Sequence, residues 1–282
     1  MDFYRASLNV NYIELSLSFE AVADLYESDF SFFEGQSHQK VGRRDGEKKR
    51  YLLNENREQV PLTRQISIKS VSQYPKVSFI LDNAAIKKAF IKKKWVVANC
   101  FDDEAALRRQ NKNPQDYRSE IVHEALKEIL DSRINGHGLV GAIYVKIANG
   151  VLFEVKPHVR IPRTLPRFNG LMCNGLLEKS RIRTNENETL MRVVEEPVTR
   201  HLPTNSRIIG ISNSSHKLVD VNCYINAASD DMHLVFVVGA CASQEINQKY
   251  IDDIISVTDY PLEPQARTDL ICRALERKWK IF

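Results

Sequence analysis

The chain has 282 residues, 43% of them hydrophobic and 27% charged, and its 40 Lys+Arg against 36 Asp+Glu give a formal net charge of +4. This composition excludes collagen-like, mucin-like and wholly disordered chains, and the length suits one large domain or a domain with an extension. The basic excess is small, so a nucleic-acid role rests on a local patch rather than on total charge.

No stretch approaches the roughly 20 apolar residues of a membrane-spanning helix. The start, Met1 to Leu15, lacks the basic-then-apolar order of a secretory signal. Cys100, Cys173, Cys223, Cys241 and Cys272 are scattered and form no CxxC pair. Neither a disulfide framework nor a zinc site is expected, and a reducing compartment is.

Residues 1–73 read as an N-terminal extension. It is acidic and aromatic from Asp2 to Glu34, with a helix expected around Phe19–Tyr26. A basic run follows at Arg43, Arg44, Lys48, Lys49 and Arg50, which suits an RNA contact, a nuclear-localisation patch or a solvated loop. The main domain is expected over residues 74–282. KVSFILD (76–82) and WVVANCF (95–101) have the length and composition of strands. Between them, AAIKKAFIKKK reads as a helix or turn with a basic face, and FDDEAALRRQ (101–110) reads as a short helix. Ser119 is placed to cap a helix whose Ile121, Val122, Ala125, Leu126, Ile129 and Leu130 share one face. LVGAIYVKI and VLFEV form a hairpin about Asn149-Gly150.

FNGLMCNGLLEKSRI (168–182) reads as helix, then TLMRVVE, SRIIGIS and HLVFVVGA as strands. YIDDIISV (250–257) reads as helix. Pro264 opens a last helix, to about Lys278, with Leu270, Ile271, Ala274 and Leu275 inward. Strands alternating with helices predict an α/β sheet with much parallel pairing.

The densest chemical feature is VKPHVRIPRTLPRF (155–168). Arg160, Arg163 and Arg167 follow Lys156 and His158, while Pro157, Pro162 and Pro166 bar a regular helix and stiffen the loop. Guanidinium groups held in fixed directions suit phosphates and base edges; an arginine-rich surface loop without a ligand is the alternative. Gly239 ends a buried strand, where a missing Cβ lets a cofactor approach the backbone. Tyr260-Pro261, within VTDYPL (257–262), makes a turn whose backbone groups could frame an adenine. The histidines show no metal spacing, and His123 fits a packed or capping role.

Taken in order from Lys76 to the C-terminus, these motifs resemble the ribosome-biogenesis methyltransferases specific for N1 of pseudouridine, in the SPOUT superfamily. RIPRTLPRF (160–168) carries the resemblance most strongly, with FILDNA, EIVHEAL, VFVVGA, DYPL and the final helix around it. The resemblance implies a SPOUT-type α/β fold with a deep C-terminal knot, S-adenosylmethionine as cofactor, and small-subunit rRNA as substrate. It also implies a nucleolar homodimer working among pre-ribosomal assembly factors, with no metal and no membrane. By the same carry-over Arg118 and Glu120 are catalytic. Ile211, Gly239, Gln244, Val257, Thr258, Asp259, Tyr260, Pro261 and Leu262 line the cofactor, and Arg118, Arg160, Arg163 and Arg167 contact RNA. The chain departs from the family pattern at three places. Arg-Pro-Asp is replaced by Arg118-Ser119-Glu120, a glycine by Gln244, and Ser-Ala by Glu263-Pro264. A catalytically weakened rRNA-binding assembly factor is therefore the alternative expectation.

Overall fold

The computed structural model describes residues 76–281, apart from residues 214, 242–245 and 247. The expected extension, its helix around Phe19–Tyr26, the basic run from Arg43 to Arg50, and Gln244 all lie outside the described residues.

The fold is organised around β1 (Val77–Ala84), whose sequence VSFILDNA is apolar on both faces and buried almost throughout. That is the pattern of a central parallel strand covered on two sides. It pairs in parallel with β4 (Val140–Ile147) on one side and β9 (His233–Gly239) on the other. Beyond β9, the parallel run continues through β8 (Ser206–Ile211) to β10 (Asp253–Ile255). On the other flank β4 turns back through Asn149-Gly150, with Gly150 at φ +94, into the antiparallel strand β5 (Leu152–Val155). β7 (Thr189–Val194) and β6 (Arg181–Arg183) complete that side, giving the order β10-β8-β9-β1-β4-β5-β7-β6. The expected α/β sheet with much parallel pairing is present, with an antiparallel flank added at β5, β7 and β6. Residues 242–245, in the C-terminal part of the chain where the knot is expected, lie outside the described residues.

Two long helices cover one face. α2 (Ser119–Asp131) buries Ile121, Val122, Ala125, Leu126 and Ile129, as its periodicity requires. It packs on α7 (Pro264–Lys278), which buries Ile271, Ala274 and Leu275 and leaves Leu270 half-buried. The short α3 (Arg133–Gly136) and α6 (Val221–Asn226) lie against α7 in turn. No helix among the described residues is long and apolar enough to cross a membrane.

Several local expectations are corrected. AAIKKAFIKKK is a β-hairpin, with β2 (Lys88–Ile91) antiparallel to β3 (Lys94–Val97). Its turn residues Lys92 and Lys93 both take positive φ, 49° and 65°, the handedness a two-residue hairpin turn demands. Each non-glycine residue there costs about 1–2 kcal/mol. The hairpin closes over α1 (Glu104–Arg109) through Ala89, Ile91, Ala98, Leu107 and Tyr117, a small core of its own. YIDDIISV gives the edge strand β10, not a helix. The Asp252 carboxylate accepts the Ile208 amide at 2.8 Å, and Asp253 draws in Lys217, Arg207 and Tyr224. Ser119 is the first residue of α2; Arg118 holds the cap position and makes no side-chain cap bond. Finally α4 (Leu165–Gly170) begins inside the arginine loop, with Pro166 in its first turn, where a missing amide hydrogen costs nothing. A π-helical stretch (Leu171–Leu176) and the short α5 (Leu177–Lys179) continue it, confirming helix over most of FNGLMCNGLLEKSRI; the final Arg181-Ile182 belong to β6.

Candidate active site and nucleic-acid interface

The carboxyl ends of β8 and β9 are tied together by one side chain. Arg267, in the first turns of α7, is 6% exposed. Its Nη1 donates to the Ile211 carbonyl at 3.0 Å and its Nη2 to the Gly239 carbonyl at 3.2 Å. Burial pushes its pKa down, opposed by the charge of Glu263. The fork-shaped guanidinium suits two carbonyls on adjacent strands, as a lysine would not.

The segment after β10 is pinned to the same place. Asn213 Nδ2 donates to the Leu262 carbonyl at 3.2 Å, and the Leu262 amide donates to Asn213 Oδ1 at 3.4 Å. Ser256 Oγ donates to the Thr258 carbonyl and Thr258 Oγ1 to the Tyr260 carbonyl, each at 2.7 Å. Asp259, Tyr260 and Pro261 stay exposed at the rim, with Val257 and Leu262 half-buried. Gly210 lets Ile246, beyond β9, settle on β8. A Cβ at Gly210 would meet Ile246 Cδ1 at 2.5 Å. The structure thus gathers Ile211, Gly239 and Val257 through Leu262 at one set of strand ends, where ligands of parallel sheets bind.

Arg118 and Glu120 stand nearby, at the amino end of α2. Arg118 Nε donates to Glu120 Oε1 at 2.7 Å, and Asn99 Nδ2 donates to Glu120 Oε2 at 3.0 Å. Burial works against the Arg118 charge, but the Glu120 hydrogen bond and charge, with that of Glu263, outweigh it and raise its pKa. The Cys100 thiol also faces Glu120, and its pKa is raised, first by burial and then by that carboxylate. It is a protonated packing group, not a nucleophile.

The arginine loop lies elsewhere on the chain. Arg163 forms a two-pronged ion pair with Asp131, the last residue of α2, with Nη2 to Oδ1 at 2.9 Å. Arg160 and Arg163 line an open groove of about 650 Å³ with Lys76, Lys127 and His158, at the amino ends of β1 and β4. Arg167 is exposed on α4. His123 braces the loop: its ring stacks on Phe168 at 4.6 Å, and Nε2 donates to the Pro162 carbonyl at 2.7 Å. Burial pushes its pKa down, so the ring is neutral and packed. From Glu120 to Asp131 is about 16 Å of helix axis. Within one chain the Arg163–Asp131 pair is therefore set well apart from Arg118, and it lies at the amino ends of the strands whereas Gly239 lies at a carboxyl end.

Sequence reasoning missed two members of this constellation. Arg267 was signalled by a charged residue on the inward stripe of α7, four before Ile271 and seven before Ala274. Asn99 carried no periodic signal. Its Oδ1 accepts the Phe101 amide at 2.7 Å while its Nδ2 holds Glu120, so only tertiary structure reveals its part.

Parallel strands whose carboxyl ends are tied by Arg267 and met by a pinned loop define an α/β protein with its candidate site at the strand ends. The family model described as EMG1/NEP1 methyltransferase matches residues 79–276, and the chain belongs to that family. The ribosomal RNA small subunit methyltransferase NEP1 of Candida albicans is 36% identical over 67% of this chain and 71% of its own length. Its Drosophila melanogaster and Homo sapiens counterparts are 31% and 30% identical, each over 72% of this chain and 82% of theirs. Among solved structures, Archaeoglobus fulgidus Nep1 bound to S-adenosylhomocysteine shares the fold, with a TM-score of 0.54 at 18% identity. It covers 73% of this chain and 99% of that one. The methyltransferase resemblance carried by RIPRTLPRF and DYPL is borne out.

Proposed function

We propose that this chain transfers a methyl group from S-adenosylmethionine to N1 of a pseudouridine in small-subunit rRNA. The observation that carries the reading is that Arg267 ties Ile211 to Gly239 and Asn213 pins Leu262 beside them, with Glu263 close enough for its charge to act on Arg118. Family membership supports it, as do the printed activity of the relatives and the S-adenosylhomocysteine held by the archaeal neighbour.

The crevice fits such a cofactor. Gly239 offers backbone without a side chain at its rim, the 257–262 backbone is held by Asn213 and Thr258, and Tyr260 stands exposed beside it. When bound, S-adenosylmethionine supplies an electrophilic methyl and departs as a neutral thioether. The chain's own work is on the base. Pseudouridine carries an N1–H that uridine lacks. Arg118 places a fixed positive charge where the N1 anion develops, favouring loss of that proton to solvent. Glu120 is taken up by Arg118 and Asn99, so it orients the guanidinium. The base is extruded from its stack, and nucleophile and methyl must be held roughly 3–3.5 Å apart.

Arg160, Arg163 and Arg167 serve as the rRNA contacts. Because Arg163 is set well apart from the crevice of its own chain, the reading includes a homodimer in which one subunit's loop faces its partner's crevice. A nucleolar location among pre-ribosomal factors follows from the substrate. The test is calorimetric titration with S-adenosylmethionine, followed by mapping of methylated pseudouridine in small-subunit rRNA with and without the chain. Micromolar binding and loss of one methylated site are expected. A folded chain that binds no cofactor refutes the reading and leaves an rRNA-binding assembly factor.

A further inference from the structure

The β2–β3 hairpin carries a feature the crevice does not use. In its register Phe90 lies directly opposite Trp95, so both rings share the outer face, while Ala89 and Ile91 point into the small core beneath. The rings meet edge to face, 5.7 Å between centroids. Phe90 is 49% exposed and Trp95 58%, although burial of either ring would be favourable.

The platform is anchored rather than loose. Gln110 Nε2 donates to the Phe90 carbonyl at 2.8 Å, and the Cys173 thiol to the Trp95 carbonyl at 3.5 Å. Lys87 is engaged with Asp116 and Lys88 with Glu178. Lys92, Lys93 and Lys94 are exposed at the tip and make no ion pair among the described residues. Two of them occupy positive-φ turn positions where Asn-Gly would be favoured. The chain thus places cations, not turn formers, beside two open aromatic faces.

We infer that this hairpin is a second RNA-binding site, a stacking platform for single-stranded RNA outside the methyl-transfer crevice. Each nucleotide of a single strand offers a π face for Phe90 or Trp95 and a phosphate for the lysines, the pairing that sequence-tolerant single-strand binders use. The choice of RNA rests on the reading of the chain as an rRNA enzyme; the geometry of the platform does not.

The chain contains two tryptophans, and Trp279 is 4% exposed, so Trp95 reports on the hairpin. The experiment titrates the full chain, as the Trp279→Phe variant, with an oligouridylate of about ten nucleotides while tryptophan fluorescence is read. Quenching at saturation is expected, with loss of iodide access to Trp95. Trp95→Ala, followed by fluorescence anisotropy of labelled oligouridylate, should weaken binding roughly five- to a hundredfold. The double variant Lys92→Asn/Lys93→Gly keeps the turn chemistry and removes two charges. It should lower the slope of log K against log salt by about 1.4, or 0.7 per phosphate contact. Oligouridylate that binds without quenching Trp95, or an unchanged affinity in Trp95→Ala, overturns the inference. So does a Trp95 shielded from iodide before RNA is added, since the chain itself or a second copy would then cover it. Cofactor titration of the same samples keeps the two readings apart. A chain that binds no S-adenosylmethionine yet shows Trp95 quenching loses the methyltransferase reading and retains this one.

Discussion

Replacing Arg267 by methionine should loosen the strand ends that frame the crevice. The side chain is buried and donates to two carbonyls, Ile211 at 3.0 Å and Gly239 at 3.2 Å. Hydrogen bonds from a charged group contribute about 1.5–3 kcal/mol each, which sums to about 3–6 kcal/mol. Burying the charge opposes this, as the downward push on its pKa shows, and methionine recovers part of the apolar packing. The net loss is about 2–3 kcal/mol. With a urea dependence near 2–3 kcal/mol per molar, the unfolding midpoint should fall by about 1 M. Affinity for S-adenosylmethionine, measured by calorimetry in the absence of urea, should fall at least tenfold, because Ile211 and Gly239 are no longer held in step. Arg267→Lys should recover about half the stability, since one ammonium cannot span both carbonyls. A midpoint shift under about 0.2 M with unchanged cofactor affinity would show that the strand ends are held without Arg267, and the reasoning fails.

Asn99→Ala removes the donor to Glu120 and the acceptor of the Phe101 amide, so Arg118 loses its fixed direction. Single-turnover methylation should slow roughly ten- to a hundredfold with RNA affinity nearly unchanged; an unaltered rate rules out a positioning role. Arg160→Ala should reduce the salt slope of rRNA binding by about 0.7–0.9 without affecting cofactor titration, and an identical slope removes Arg160 from the RNA surface. For pH, His123 and His233 both have their pKa pushed down, chiefly by burial and further by Lys127 and Arg163 in one case and Lys76 in the other. Unfolded, they titrate near the ordinary value of about 6.5. Below that pH the unfolded state binds more protons, so stability present above it is lost on acidification. The melting temperature should fall between about pH 7 and pH 5. It should fall less in the His123→Gln/His233→Gln variant, and parallel curves for the two chains contradict the assignment.

The central strands and long helices were legible because their burial follows a simple period. VSFILDNA is apolar on both faces, and the inward stripe of α2 is the one its sequence spells. The failures have physical causes. In IDDII the spacing of Ile251, Ile254 and Ile255 imitates a helical face, while the strand depends on Asp252 capturing the Ile208 amide, a contact 44 residues distant. The hairpin hid because Lys92-Lys93 occupies a turn usually announced by asparagine and glycine. At the candidate site, residue types marked Gly239 and the Tyr260-Pro261 turn, but the side chain that ties the strand ends is an arginine inside an apolar stripe. Motif order could not show that the arginine loop and the crevice sit toward opposite ends of α2.

The two borders of the main sheet are both cut short. β10 and β6 are three residues each, and β6 presents Arg181 and Arg183 outward. Unsatisfied backbone groups along an open border invite a neighbouring molecule to add its own strand, and brevity together with like charge discourages that. Among the described residues, growth of the main sheet around its apolar β1 therefore finds little backbone at either margin to start from.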